Sequence, residues 1–151
     1  MRQRRLQLEL LALLFLAICS YMDIKYKAIS IFVIILFSCL GIICMFVFHG
    51  TEWIFNPSCL LNLLLGVIVL LVSYVSRGEI GQGDAIVLMV TGGMIGGYRN
   101  CVMFFYASII AGIYALALII VKEQKRERVF PFIPFLFIGD VTLLIMSNLS
   151  Y

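Results

Sequence analysis

The chain has 151 residues, 64% of them hydrophobic and 13% charged, with a formal net charge of +3 and a mean hydropathy of +1.13. A soluble domain is about half apolar and about a quarter charged, so this composition excludes an ordinary water-soluble fold and assigns the surplus apolar surface to lipid. Eleven basic against eight acidic residues, scattered along the chain, exclude a nucleic-acid footprint.

A transmembrane helix takes about 20 predominantly apolar residues. Uncharged runs of that scale predict six spans, at 6–22, 28–48, 58–76, 84–98, 100–121 and 132–150. The first carries Glu9 near its start and is followed by Asp23, Lys25 and Lys27 in a connecting loop. A second loop, His49 to Trp53, leads to the turn Asn56-Pro57 and the third span. The fourth span is short: about 15 residues at 1.5 Å each cover about 22 Å of a hydrocarbon core about 30 Å thick, so one end must lie inside the membrane. Span five is long enough to cross, the stretch Lys122 to Arg128 is the most polar in the chain, and span six carries Asp140 near its middle, where a helix-packing acid is expected. No repeat or linker divides the chain. The expected fold is an all-α, polytopic integral membrane protein of about six transmembrane helices in one domain, 1–151.

Cys19, Cys39, Cys44, Cys59 and Cys101 form no C-x-x-C pair, each lies in an apolar run, and His49 is the only histidine. Reduced cysteines, no metal and no cofactor are expected. With loops assigned alternately to two sides, the 23–27, 77–83 and 122–128 segments hold seven basic residues against four on the other side. The positive-inside rule places these three segments in the cytoplasm.

Asp23 and Asp84 are separated by two crossings, so both carboxylates fall on the same side whichever side that is. Two acids converging in a poorly solvated place tend to share one proton, the requirement of an aspartic protease. The alternative is structural, with Asp23 an interfacial or capping carboxylate beside Lys25 and Lys27. Gly81 and Gly83 are expected to free the backbone beside Asp84 for a tight turn. Gly92, Gly93, Gly96 and Gly97 form two overlapping G-x-x-x-G patterns on the fourth span, suited to close helix packing.

Gly81-Gln82-Gly83-Asp84 resembles the G-x-G-D motif of membrane aspartyl proteases, and Tyr21-Met22-Asp23-Ile24-Lys25 with Ile29-Ser30 resembles the first-aspartate motif of type IV prepilin peptidases. Phe130-Pro131-Phe132-Ile133-Pro134-Phe135-Leu136 through Gly139 is similar to that family's proline-rich entry to its last helix. Two positions depart from the pattern: Ser30 stands where a proline is common, and Ile86 where a lysine usually follows the second aspartate. The likeness is greatest to the short, stand-alone peptidases of tight-adherence (Flp) pilus systems. It implies a membrane aspartyl endopeptidase with catalytic Asp23 and Asp84, supported by Gly81 and Gly83. Its partner would be a prepilin or pseudopilin with a short leader before a hydrophobic helix, cut at the cytoplasmic face of the cell membrane. No methyltransferase activity is expected. Competing functions are a protease for other signal-anchored proteins and an ion-coupled transporter or assembly subunit.

The charge asymmetry has a direct test. Single cysteines at Lys25 and Gln124, in a chain stripped of its native five, should react with a membrane-impermeant thiol reagent only in inside-out vesicles. Reaction from outside intact cells reverses the orientation.

Overall fold

The computed structural model describes residues 2–49, 57–76, 81–121 and 131–149, and every regular element among them is a helix. In chain order these are α1 (Arg2–Tyr26), α2 (Ile31–His49), α3 (Pro57–Val75), α4 (Gln82–Ile95), α5 (Gly97–Val121) and α6 (Ile133–Leu149). The six expected helices are present in the expected order. The loop from Gly50 to Asn56, the 77–80 segment and the polar Lys122–Arg128 stretch lie outside the described residues. Cys19, Cys39, Cys44 and Cys101 are free, as expected, while the Cys59 side chain is outside the described set.

Most helix ends shift by a few residues from expectation, His49 closing α2 and not opening a loop, and two of the differences bear on the site. The helix α1 continues through the polar Asp23-Ile24-Lys25 stretch to Tyr26, so Asp23 stands in its last turn and not in a loop. It stops at Lys27, whose φ of 51° is left-handed and whose N–H donates to the Asp23 carbonyl at 3.0 Å. The helix α4 ends at Ile95, short of the expected Tyr98, because Gly96 takes φ 87°, ψ 151° and a new helix begins at Gly97. Only glycine enters that region without strain, so a single residue separates α4 from α5.

α1 presents Leu8, Ala12, Phe15, Leu16 and Cys19, a stripe at helical spacing, to a core shared with Val87 and Leu88 of α4, Met103 and Ala107 of α5, and Ile133 and Leu136 of α6. α1 packs on α6 and α4, α5 on α6, and α3 along α4. Other large apolar side chains face outward, among them Phe32, Val47 and Ile120, each more than 70% exposed. Leu6–Tyr26 and Gly97–Leu118 are long and apolar enough to cross a membrane. The remaining apolar helices are shorter, Gln82–Ile95 among them.

The α3–α4 seam depends on glycine. A methyl at Gly92 would collide with the Asn62 carbonyl of α3 and lie 2.9 Å from Asn100 Nδ2, and one at Gly66 would meet the Met89 backbone nitrogen at 2.7 Å. Backbone cannot swing aside as a side chain can. The expected pair of G-x-x-x-G patterns is therefore divided: a methyl at Gly92 on α4 or Gly97 on α5 would press on Asn62, whereas one at Gly93 would approach only the tip of Leu63 at 4.0 Å and one at Gly96 would meet nothing within 4 Å. Buried polar groups beside the seam are paired. Asn62 Oδ1 accepts from the Gly97 N–H at 2.7 Å, Asn100 Nδ2 donates to the Leu88 carbonyl at 2.8 Å, and the Thr91 hydroxyl lies 2.9 Å from Asn100 Oδ1.

This seam predicts opposite results for adjacent glycines. Gly92→Ala should destabilise the fold by about 1–3 kcal/mol through overpacking. Gly93→Ala should be neutral or slightly stabilising, since alanine is the better helix former by about 1 kcal/mol. Thermal or denaturant melting of the purified protein reads both, and equal effects at the two positions would contradict the packing described.

Candidate active site

Asp23 is 8% exposed, held in the last turn of α1. The C-terminal end of a helix is a poor place for a carboxylate, because unpaired carbonyls make it partially negative. The start of α6 supplies the missing donor: the Ile133 N–H donates to Asp23 Oδ2 at 3.3 Å. Proline explains why this amide is there to be used. Pro134 sits in the first turn of α6, where its lack of an N–H costs nothing and its fixed φ suits the helix, and Ile133 is left as a free donor beside it. Asp23 thus joins the end of α1 to the beginning of α6, 110 residues away.

Asp84 is the third residue of α4 and its first-turn acid, a position favoured by the helix N-terminus. It is half-buried, and its carboxylate lies close to Gly81. Gly81 itself has φ −61° and ψ 122°, a conformation open to any residue. The expected need for a flexible turn is therefore not what this glycine meets. It supplies space: a methyl there would lie 2.9 Å from Asp84 Oδ2. Gly83 is likewise inside the helix, where a methyl would meet the end of the Ile29 side chain at 2.8 Å. Ile29 follows α1, so this contact sets the start of α4 against the end of α1.

The two aspartates consequently come together at one end of the helical bundle, near enough for the charge of Asp23 to act on Asp84. Lys25 does not pair with Asp23 in this arrangement. Its ammonium is 3.2 Å from the Tyr21 hydroxyl and lies over the Tyr21 and Tyr26 rings at 5.5 and 5.2 Å. Ile86 lines an apolar cavity of about 380 Å³ between α2, α3 and α4, with Ile34, Ser38, Gly41 and Met89. Asp140 stands apart from the pair. It is fully buried, and neither of its carboxylate oxygens has a hydrogen-bond partner among the described residues.

Residues 10–116, a segment holding both aspartates and both motif glycines, match the type IV leader peptidase family. The chain belongs to that family. It is accordingly a peptidase of a membrane-associated, leader-cleaving class whose substrates are prepilin-like proteins. Neither the curated proteins nor the solved structures contain a match to it. Helix α6 lies beyond the matched segment, and its Ile133 amide, which holds Asp23, is a part of the site that the side-chain motifs did not reveal. The available signal was Pro131 and Pro134, which mark the helix start.

The two glycines should separate by substitution. Gly81→Ala crowds the Asp84 carboxylate and should lower leader cleavage about tenfold with little change in melting temperature. Gly83→Ala meets only a movable methyl and should keep most activity. Equal activity of the Gly81→Ala and native peptidases would show that Asp84 needs no such space.

Proposed function

We propose that this chain is a polytopic membrane aspartyl endopeptidase in which Asp23 and Asp84 are the catalytic pair. The observation that carries this reading is the convergence of two carboxylates, 61 residues apart in sequence, at one end of the bundle. The outward-facing apolar side chains of α1, α2 and α5 support a bilayer setting for the whole domain, with this end at the cytoplasmic face.

The pair works as one unit with a single shared proton. The ionised carboxylate takes a proton from a water molecule as that water's oxygen attacks the scissile carbonyl carbon. The protonated partner hydrogen-bonds the carbonyl oxygen, and the tetrahedral adduct forms without a covalent bond to the enzyme. As the C–N bond breaks, a proton from the dyad passes to the leaving nitrogen, giving a free carboxylate on the leader and a free amine on the mature chain. The Ile133 amide contributes a fixed donor that orients the Asp23 carboxylate through the cycle. The substrate is a prepilin or pseudopilin, cut between a short polar leader and the apolar helix that follows. Such a helix lies in lipid with its leader at the surface, where Asp23 and Asp84 stand.

Asp23→Asn and Asp84→Asn test the pair. An amide preserves the shape of a carboxylate but cannot accept the proton that water must lose. Each change should reduce leader removal from a co-expressed prepilin by about 10²- to 10⁴-fold at equal membrane expression. Native activity in either variant rules out the dyad.

A further inference from the structure

Asp23 takes its donor from α6, so whatever seats α6 also seats that donor. The fully buried Ile133 and Leu136 side chains of α6 join the core that α1 lines with Phe15, Leu16 and Cys19. α6 packs along α1 and along α5, whereas α1 and α5 share no contact of comparable extent. The helix is therefore gripped from two directions.

Gly139 lies at the second of these contacts. It comes six residues after Ile133 and, at about 100° per residue, stands about 120° around the helix from it. Gly139 is buried, and a methyl there would lie 2.9 Å from the Met103 carbonyl oxygen of α5, 3.5 Å from Met103 Cγ and 3.6 Å from the Ala107 nitrogen. A side chain can turn out of the way, but a carbonyl within α5 is held by its own helix. At this point α6 rests on the main chain of its neighbour.

The bond to Asp23 tolerates little displacement. At 3.3 Å, the Ile133 N–H to Asp23 Oδ2 distance already stands at the long end of the range for such bonds. A side chain at position 139 would have to open the α5 contact by about 0.4 Å to reach an ordinary carbon–oxygen separation of about 3.3 Å. Ile133 is about 9 Å further along the same helix and moves with it. On the α1 side Ile133 and Leu136 are fully buried, and a close-packed interior passes such a shift on instead of absorbing it.

We infer that Gly139 is a positioning residue for Asp23: by letting α6 lie on the main chain of α5, it sets the place at which the Ile133 amide meets the carboxylate. The inference rests on the catalytic reading of Asp23. It also gives the proline-rich entry to α6 a physical role, since Pro134 leaves the amide free beside it and Gly139 determines where that amide stands.

The test combines steady-state leader cleavage by the purified full-length peptidase in lipid nanodiscs with hydrogen exchange at the Ile133 amide, read by NMR on protein labelled at isoleucine. Gly139→Ala should lower kcat about tenfold through misplacement of Asp23. KM should stay within about twofold, since substrate contacts are untouched. Exchange at Ile133 should quicken about tenfold while core amides of α1 keep their native rates, a local change that general loss of stability would not produce. Gly112→Ala, on α5 where a methyl meets nothing within 4 Å, should leave both readings native. Native kcat in a folded Gly139→Ala overturns the inference, and so does a lower kcat with the Ile133 amide still protected. Should Gly139→Ala not fold, Ala107→Ser takes its place: its hydroxyl can bond back to the Met103 carbonyl, adding one atom to the same contact, and the same two changes are expected. A failure of the dyad is separable, because Asp23→Asn would then cleave normally whatever Ile133 exchange shows.

Discussion

The short helix α4 is the constraint on which the arrangement depends. At 14 residues it is about 21 Å long, so its two ends cannot both reach the surfaces of a bilayer, and its position is decided by what it packs against. Gly92 and Gly66 let the backbones of α3 and α4 touch, and the Asn62, Asn100 and Thr91 side chains take up the polar groups exposed where α4 gives way to α5. Contact of this kind fixes height as well as distance. The start of α4 is thereby held against Ile29, just past the end of α1, and Asp84 comes within reach of the charge of Asp23.

The second half of the site is held differently. Asp23 has a backbone amide from α6 where Asp84 has the beginning of its own helix, so one carboxylate depends on tertiary packing and the other on local structure. A carboxylate whose donor lies on another helix is only as well placed as that helix.

Much of this was legible in the chain itself. Uncharged runs marked six helices because in so apolar a sequence charge is the only punctuation, and loop parity alone brought Asp23 and Asp84 to one end. Charge failed as punctuation at two places. Asp23 and Lys25 prolong α1 where they were expected to end it, because Asp23 is satisfied by the Ile133 amide and Lys25 by tyrosine rings. Gly96 interrupts an apolar run that no charge interrupts, through a positive φ that G-x-x-x-G spacing does not disclose. The pairing of Arg99 with Glu9 spans 90 residues and is a property of the packed bundle that no local pattern discloses. Gly81 was expected to free the backbone for a turn, but what it provides is room for a carboxylate.

If Asp23 and Asp84 act as one acid–base unit on a tetrahedral adduct, ligand binding reads it without reliance on turnover. A peptide spanning the leader junction of a prepilin, with the scissile amide replaced by a hydroxyl-bearing tetrahedral carbon, should bind the native peptidase at least about 10²-fold more tightly than the same peptide with a reduced, hydroxyl-free linkage. That advantage should vanish in both Asp23→Asn and Asp84→Asn, with the affinity for the hydroxyl-free peptide unchanged. An advantage retained in either variant would mean that the two carboxylates do not act as one unit.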